Sequence, residues 1–487
     1  MTTTSYTSTL AEFSVNTQFA DLPRSAVEAT KDLLIDTLGC AVSGFNFPSG
    51  EIVAEVIGGA GGKPEATELV TGRRLPVAAA AYINSHAANV LDAEETFQFH
   101  HHAATTVLSA LAVAEQQGSS GEEFLTAVAV GFEVGARLAM SLKWGAVKRD
   151  DPDLPDLAEL HSMSWSTLTA AVVTGRLLGL DVEQMVHAFG ICGATMPVPA
   201  SHTMQALVHQ PLPMTKYTMY GTCSQLGVQA AQLAAAGFTA PEGILDGPRG
   251  LWRVLGAIRS DWDELDQQLG KRWWVEWTSY KLYPSCRFSS TAIDLAVELR
   301  DRHDLRVEDI TGVEVAVHER AIVNGLDRTE VTNPVEGGFS IPYLVSTALH
   351  RVTPGPQWHT EATRQDSSIS RLKQMVNVVP LPEAAVAVAE QVRETGWYQR
   401  VPYRMSIEAG GSTYTADAEY SQGDPWTDGT RVSRERLEQK FRDFTAGTLT
   451  DAQVERALAL ASRIETEAGV SPLVQTLVRE TTPENAR

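Results

Sequence analysis

Two stretches, WSTLTAAVVTGRLLG at 165–179 and GTCSQLGVQAAQLAAAG at 221–237, have helical spacing and almost no polar face. A helix that is apolar nearly all round has to be covered on most sides. Their Ala and Gly content lets the covering backbones approach closely. The rest of the first half supplies the cover. Residues 24–43 put Val27, Leu33, Leu34, Leu38 and Val42 on one helical stripe, and 104–118 and 122–142 read as two helices broken at GSSG. Residues 1–270 therefore predict a packed all-helical body.

From about residue 274 the texture changes. DITGVEVAVHE (309–319) alternates like a strand, and YRMSIEAGGSTYTADAEY (403–420) alternates around a Gly-Gly turn as a hairpin does. Helices at 291–301 and 383–394 lie between them. Residues 433–466 return to helical spacing through Leu437, Phe441, Phe444, Val454, Leu458 and Ala461. A chain of 487 residues is too long for one ordinary core. The expected architecture is mainly α: a large all-helical domain (1–273 and 428–487) with a smaller α+β domain inserted at 274–427. The tail TTPENAR is expected to fray. EATELVTG (65–72), followed by RRLP, fits a short hairpin or an extended arm. GGAGGK (58–63) resembles a phosphate loop, but Ile57 and Pro64 break the required spacing, so a Gly-rich turn is expected.

A formal charge of −21 makes nucleic acid and anionic lipid poor general partners. Cys40, Cys192, Cys223 and Cys286 form no C-x-x-C pair, and reduced thiols are expected. The N-terminus MTTTSYTSTLAEF lacks the basic and apolar regions of a signal peptide. No window is read as approaching the roughly 20 apolar residues of a membrane span. These points predict a cytoplasmic location and no membrane partner.

The richest chemistry is in NVLDAEETFQFHHHAATTVLSA (89–110), with Asp92, Glu94, Glu95 and three adjacent histidines. Successive helical residues differ by about 100°, so three neighbouring histidines cannot all aim at one ion. H-E-x-x-H is absent, and no metal is expected. His100 and His101 are read as bystanders. His102 stands near the first turn of the following helix, where an imidazole can meet an anion. Asp92 and Thr96, four apart, share a face if their segment is helical. His161 and Lys216 each precede an apolar helix, Lys281 and Arg287 lie in KLYPSCR, and Tyr343 lies in FSIPYLVSTAL. A lone Lys is usually a surface residue and a lone Tyr in an apolar run is usually core. Two lysines at the mouths of buried elements in an acidic chain nevertheless favour carboxylate binding.

Several long segments, in order, resemble the MmgE/PrpD family. They are GGKPEATELVTGRRLPVAAAAYINSHAANVLD, GRLLGLD, GVQAAQLAAAGFTAPEGILDGPRG, KLYPSCR and NPVEGGFSIPYLVSTAL. The resemblance runs from about residue 8 to about 465. It implies a helical domain with an α+β lid, a homodimer, and a site in the cleft between the two parts. It also implies roles for single residues. Asp92 and Thr96 match the family's D-x-D-D-T segment, and His102 and His161 match its two histidines. Lys216, Lys281 and Tyr343 match its pocket Lys, Lys and Tyr. The chain departs from the pattern at Glu94 and Glu95, at the residues after His102 and His161, and at Phe288-Ser289-Ser290. The implied chemistry needs no cofactor. Lys216, Lys281 and Arg287 pair the carboxylates of a small polycarboxylate, His102, His161 and Asp92 exchange protons, and Thr96 and Tyr343 donate hydrogen bonds. The first expectation is a dehydratase of a hydroxylated di- or tricarboxylate, such as 2-methylcitrate or a larger acid. A decarboxylase of an unsaturated tricarboxylate such as cis-aconitate, an epimerase and a non-enzymatic scaffold are the alternatives.

Overall fold

A computed structural model describes residues 5–98, 100–143, 163–198, 211–217, 219–257 and 259–480. His161 and the tail 481–487 lie outside these described residues. The fold is mainly helical, with a small sheet in the C-terminal part.

The body is built on helices α1 (Arg24–Phe45), α2 (Val77–Asn89), α3 (Ala103–Gln117), α4 (Gly121–Ser141), α5 (Ser166–Leu178) and α6 (Met219–Ala235). The break between α3 and α4 falls at GSSG for a local reason. Gly118 takes a left-handed conformation (φ +67°), and Ser120 and Glu123 cap the next helix reciprocally. α4 is long and apolar enough to cross a membrane, which corrects the expectation that no window approaches that length. It is buried inside the protein, where Glu133 and Arg137 pair along its side.

α5 and α6 pack as their small residues require. A Cβ added at Gly227 of α6 would stand 2.5 Å from the Ala170 Cβ and 2.9 Å from the Ala171 nitrogen of α5. Neither is the end of a flexible side chain, so the helices would have to separate. Gly227→Ala is expected to cost about 1–3 kcal/mol, the usual scale of overpacking. Urea denaturation measures this, and an unchanged midpoint would mean that the contact is slack.

Ala66–Thr67 pairs antiparallel with Arg74–Leu75, so the RRLP region is the short hairpin. Gly58 and Gly59 end a helix (Pro48–Gly59), and only Gly61 and Gly62, with φ +67° and +130°, turn the chain, so GGAGGK is a helix end followed by a turn.

After α7 (Arg287–Arg302) come strands β1 (Ile310–Val317) and β2 (Val376–Pro380), with α8 (Ile341–Leu349) between them in the chain. β3 (Tyr403–Ala409) and β4 (Ser412–Ala418) complete a four-stranded sheet in the order β2-β1-β3-β4. β1 and β2 are parallel, and the other pairs are antiparallel. The β3–β4 turn uses Gly410 and Gly411, both at positive φ, as a two-residue hairpin of this twist demands. β2 was not read from the sequence; its MVNVVP run is short and closed by Pro380. Met405 and Ile407 of β3 meet Leu295 and Leu299 of α7 in a second core. Val90, Tyr217 and Phe339 belong to that second core too.

The chain then returns to the helical body. α9 (Arg434–Thr445) lies along α1, and its Leu437 and Phe441 join the main core. All four cysteines are buried free thiols.

Candidate active site

α2 ends at Asn89, and the turn beyond it carries the cluster. Asp92 sits at φ +51°, a left-handed conformation that Asp tolerates better than most residues, and its amide donates to the Asn89 carbonyl at 2.9 Å. The helical segment expected to put Asp92 and Thr96 on one face is therefore not formed. Thr96 instead makes a two-hydrogen-bond bridge with Ser279, at 2.8 and 3.0 Å. That bridge draws the irregular segment 279–283 alongside the turn. Lys281, two residues on, then reaches Asp92 and forms an ion pair with Oδ1, both side chains being buried. Lys216 Nζ lies 3.9 Å from the other oxygen, Oδ2, and rests over the rings of Tyr217 and Phe339. Two ammonium groups from distant segments thus share one carboxylate. Burial alone would raise the Asp92 pKa, but Lys281, Lys216 and His101 pull it down to about 2.

Its neighbours titrate the other way. Burial pushes the Glu94 carboxyl up to about 7, with Lys281 opposing and Asp92 adding. Asn89 donates to its Oε1, and its Oε2 is buried without a partner among the described residues. Glu95, raised by burial, accepts from the His102 and Ala103 amides at 2.6 and 2.8 Å and so closes the N-terminus of α3.

The histidines are placed differently from the expectation. His101 is the one inside the cluster. Its Nε2 is 3.5 Å from Asp92 Oδ1, and its Nδ1 is 3.2 Å from Glu94 Oε1 and 2.8 Å from the Glu95 carbonyl oxygen. His102 instead packs among Phe97, Phe132 and Trp165, and neither of its ring nitrogens has a hydrogen-bond partner among the described residues. Burial lowers its pKa to about 3. The reason is directional: Glu95 caps α3 at the backbone of His102, which turns that side chain back into the helical core. His100 lies edge-on to Trp165 at 4.5 Å.

Of the other expected residues, Thr96 is adjacent through its backbone, and its buried Oγ1 lacks a partner among the described residues. Tyr343, on α8, donates its hydroxyl to the Trp358 carbonyl and is not joined to Asp92 by any contact among the described residues. Arg287 is held by Asp424 and, at 2.5 Å, by Ser421 Oγ in a separate cleft lined by Phe288, Tyr403 and Trp426. That pairing ties it to Asp424 rather than to the carboxylate that Lys281 and Lys216 share.

Sequence reasoning missed two supports. Lys440 of α9 is buried, pairs with Asp36 of α1 at 2.5 Å, and donates to the Ala93 carbonyl at 2.6 Å. It thus pins the residue after Asp92. Its position one residue before Phe441 and three after Leu437 was the available signal. His101 had none, since three identical neighbours cannot be told apart by type. Asp92, Glu94 and His101 each bring one ligand atom within 4.8 Å of the others, a spacing a cation would accept. The Lys281 ammonium already balances Asp92, and we assign no metal ligands.

A mainly helical body, a small α+β part and a buried acid–base cluster held by segments from both halves define a two-part helical class. Residues 8–261 match the MmgE/PrpD N-terminal domain and residues 283–466 the MmgE/PrpD C-terminal domain. The chain belongs to the MmgE/PrpD family. It is similar to a cis-aconitate decarboxylase of Aspergillus terreus, 25% identical over 97% of this chain and 95% of that protein. A second cis-aconitate decarboxylase from that species is 25% identical over 61% of this chain and 60% of its own length. A cis-aconitate decarboxylase-like protein, oryM, of Aspergillus oryzae is 27% identical over 52% of this chain and 53% of its own length.

Proposed function

We propose that this chain is a lyase acting on a di- or tricarboxylic acid, and that its leading reaction is decarboxylation of an unsaturated tricarboxylate of the cis-aconitate kind. The observation that carries the reading is the pair of ammonium groups, Lys281 and Lys216, on the two oxygens of buried Asp92. Such a pair can meet a substrate carboxylate and stabilise negative charge on the carbon beside it. The side chains present supply cation, base and acid, so the reaction as proposed needs no cofactor. The names of the similar proteins support decarboxylation over the dehydration ranked first from sequence. Dehydration stays as the second reading because Glu94, holding a proton near neutrality, is an acid suited to a leaving hydroxyl. The α+β part as a lid, a homodimer and a cytoplasmic location complete the proposal; light scattering on the purified protein tests the dimer.

The test is proton NMR in deuterium oxide, with chelator-treated protein and, in turn, cis-aconitate, citrate, 2-methylcitrate and iminodisuccinate. The expected result is loss of cis-aconitate and growth of a decarboxylated product carrying solvent deuterium, at a rate the chelator leaves unchanged. Water loss from a citrate would move the assignment to dehydration, and deuterium uptake alone to epimerisation. Silence from folded protein across all four acids would overturn the substrate class.

A further inference from the structure

We infer that His101 is the imidazole that carries the substrate's proton, in a tautomer set by the backbone of Glu95, a role the sequence pattern pointed to His102 for. The inference rests on the polycarboxylate reading above and names the group that moves its proton.

The tautomer follows from one contact. Two oxygens face His101 Nδ1, Glu94 Oε1 at 3.2 Å, which accepts from Asn89, and the Glu95 carbonyl oxygen at 2.8 Å; the nearer one can only accept, so Nδ1 carries the hydrogen. In the neutral ring the lone pair is then on Nε2. That atom faces Asp92 Oδ1 at 3.5 Å, the oxygen that Lys281 holds, while Lys216 faces the other oxygen of the same carboxylate. A lone pair and a carboxylate oxygen at that distance share no hydrogen bond. They form a gap that a proton fills, with Asp92 as counter-ion for the imidazolium. The Tyr220 ring stands edge-on to the imidazole at 5.9 Å and fixes its plane. His102 has none of this. Its ring nitrogens have no hydrogen-bond partner among the described residues, and a Cβ added at Gly135 would lie 3.1 Å from its Nδ1, so the packing around it is tight. A charge formed there would be surrounded by aromatic rings.

Burial first, and then Lys281, keep the His101 ring neutral at rest, with Asp92 opposing. An arriving polyanion reverses this balance, because added negative charge favours the imidazolium. In decarboxylation the step balances as follows. The bond between the leaving carboxylate and its carbon breaks, carbon dioxide departs, and the electron pair stays on that carbon. The Nε2 hydrogen of the imidazolium passes to the carbon, the ring returns to neutral, and water restores its proton.

The test uses His101→Asn, whose side-chain amide can still donate to the Glu95 carbonyl. With cis-aconitate, kcat is expected to fall at least about 100-fold while KM changes less than about threefold, the signature of lost proton transfer. Wild-type kcat in this variant overturns the inference, and so does an equal loss carried wholly by KM. A second readout needs no turnover. In wild-type protein labelled with 15N-histidine, the resonances absent from His101→Asn should report a neutral Nδ1–H ring, and its Nε2 should shift when citrate is added. If no acid is turned over but that shift is seen, the proposed reaction fails and the His101 assignment stands. An Nε2–H ring, or no shift with citrate, overturns the assignment.

Discussion

Lys281→Met is expected to lower turnover about 100- to 1,000-fold, the usual effect of removing one group that stabilises developing charge, and to destabilise the fold as well. Lys281 and Asp92 are both nearly inaccessible to water. Removing one member of a buried pair leaves the other charged and uncompensated, which costs about 3–5 kcal/mol. Lys216 at 3.9 Å offsets part of that, so the lower end of the range is expected. The variant should also change how stability depends on pH. Asp92 has its pKa lowered in the folded chain from 3.8 to about 2. A lowered carboxylate pKa contributes stability that is fully present above pH 4 and is lost as pH falls toward 2. Without Lys281 the folded carboxyl takes up its proton at higher pH, and this contribution shrinks. Urea denaturation between pH 3 and 7, with turnover measured on the same samples, checks both effects. A wild-type unfolding midpoint at pH 7 would mean that the pair is not formed in solution.

Lys440→Met is expected to destabilise by about 3–5 kcal/mol for the same physical reason. Asp36 is left buried without its cation, and the Ala93 carbonyl loses its donor. The pair can be separated from the carbonyl. In the double variant Asp36→Leu with Lys440→Met, two apolar side chains replace the two charges, and such replacements are often neutral or stabilising. The double variant should therefore be more stable than Lys440→Met alone. It still lacks the hydrogen bond to Ala93, whose unsatisfied oxygen costs about 1–3 kcal/mol. Its turnover is expected to stay low, because Lys440 anchors the backbone of the residue that directly follows Asp92. If the double variant recovered both stability and turnover, Lys440 would be only half of an ion pair. If Lys440→Met unfolded at the wild-type urea concentration, the buried pair would carry no stability.

The helices were legible for a local reason. The apolar runs at 165–179 and 221–237 became α5 and α6, and GSSG became the break between α3 and α4. The Gly-Gly turn at 410–411 became the β3–β4 hairpin. Side-chain period and turn chemistry depend on residues a few positions apart, and a single sequence contains them. Among the site residues, Asp92, Lys216 and Lys281 were picked out by residue type and resemblance and are brought together. Tyr343 and Arg287 were picked out in the same way and are tied instead to Trp358 and Asp424. A residue type states what a group can do, and the fold decides which groups stand beside it.

What the sequence alone determined is the succession of helices, the β-hairpin, and the presence of cations, carboxylates and imidazoles in a chain of net charge −21. Only the tertiary structure decided that Lys281 meets Asp92 across 189 positions, that Lys440 pins Ala93 across 347, and that His101 rather than His102 faces them. The physical reason is burial. In water each of these charges would be solvated and indifferent to its partner. Inside the fold each must find an opposite charge or a hydrogen bond, and packing sets which one is within reach.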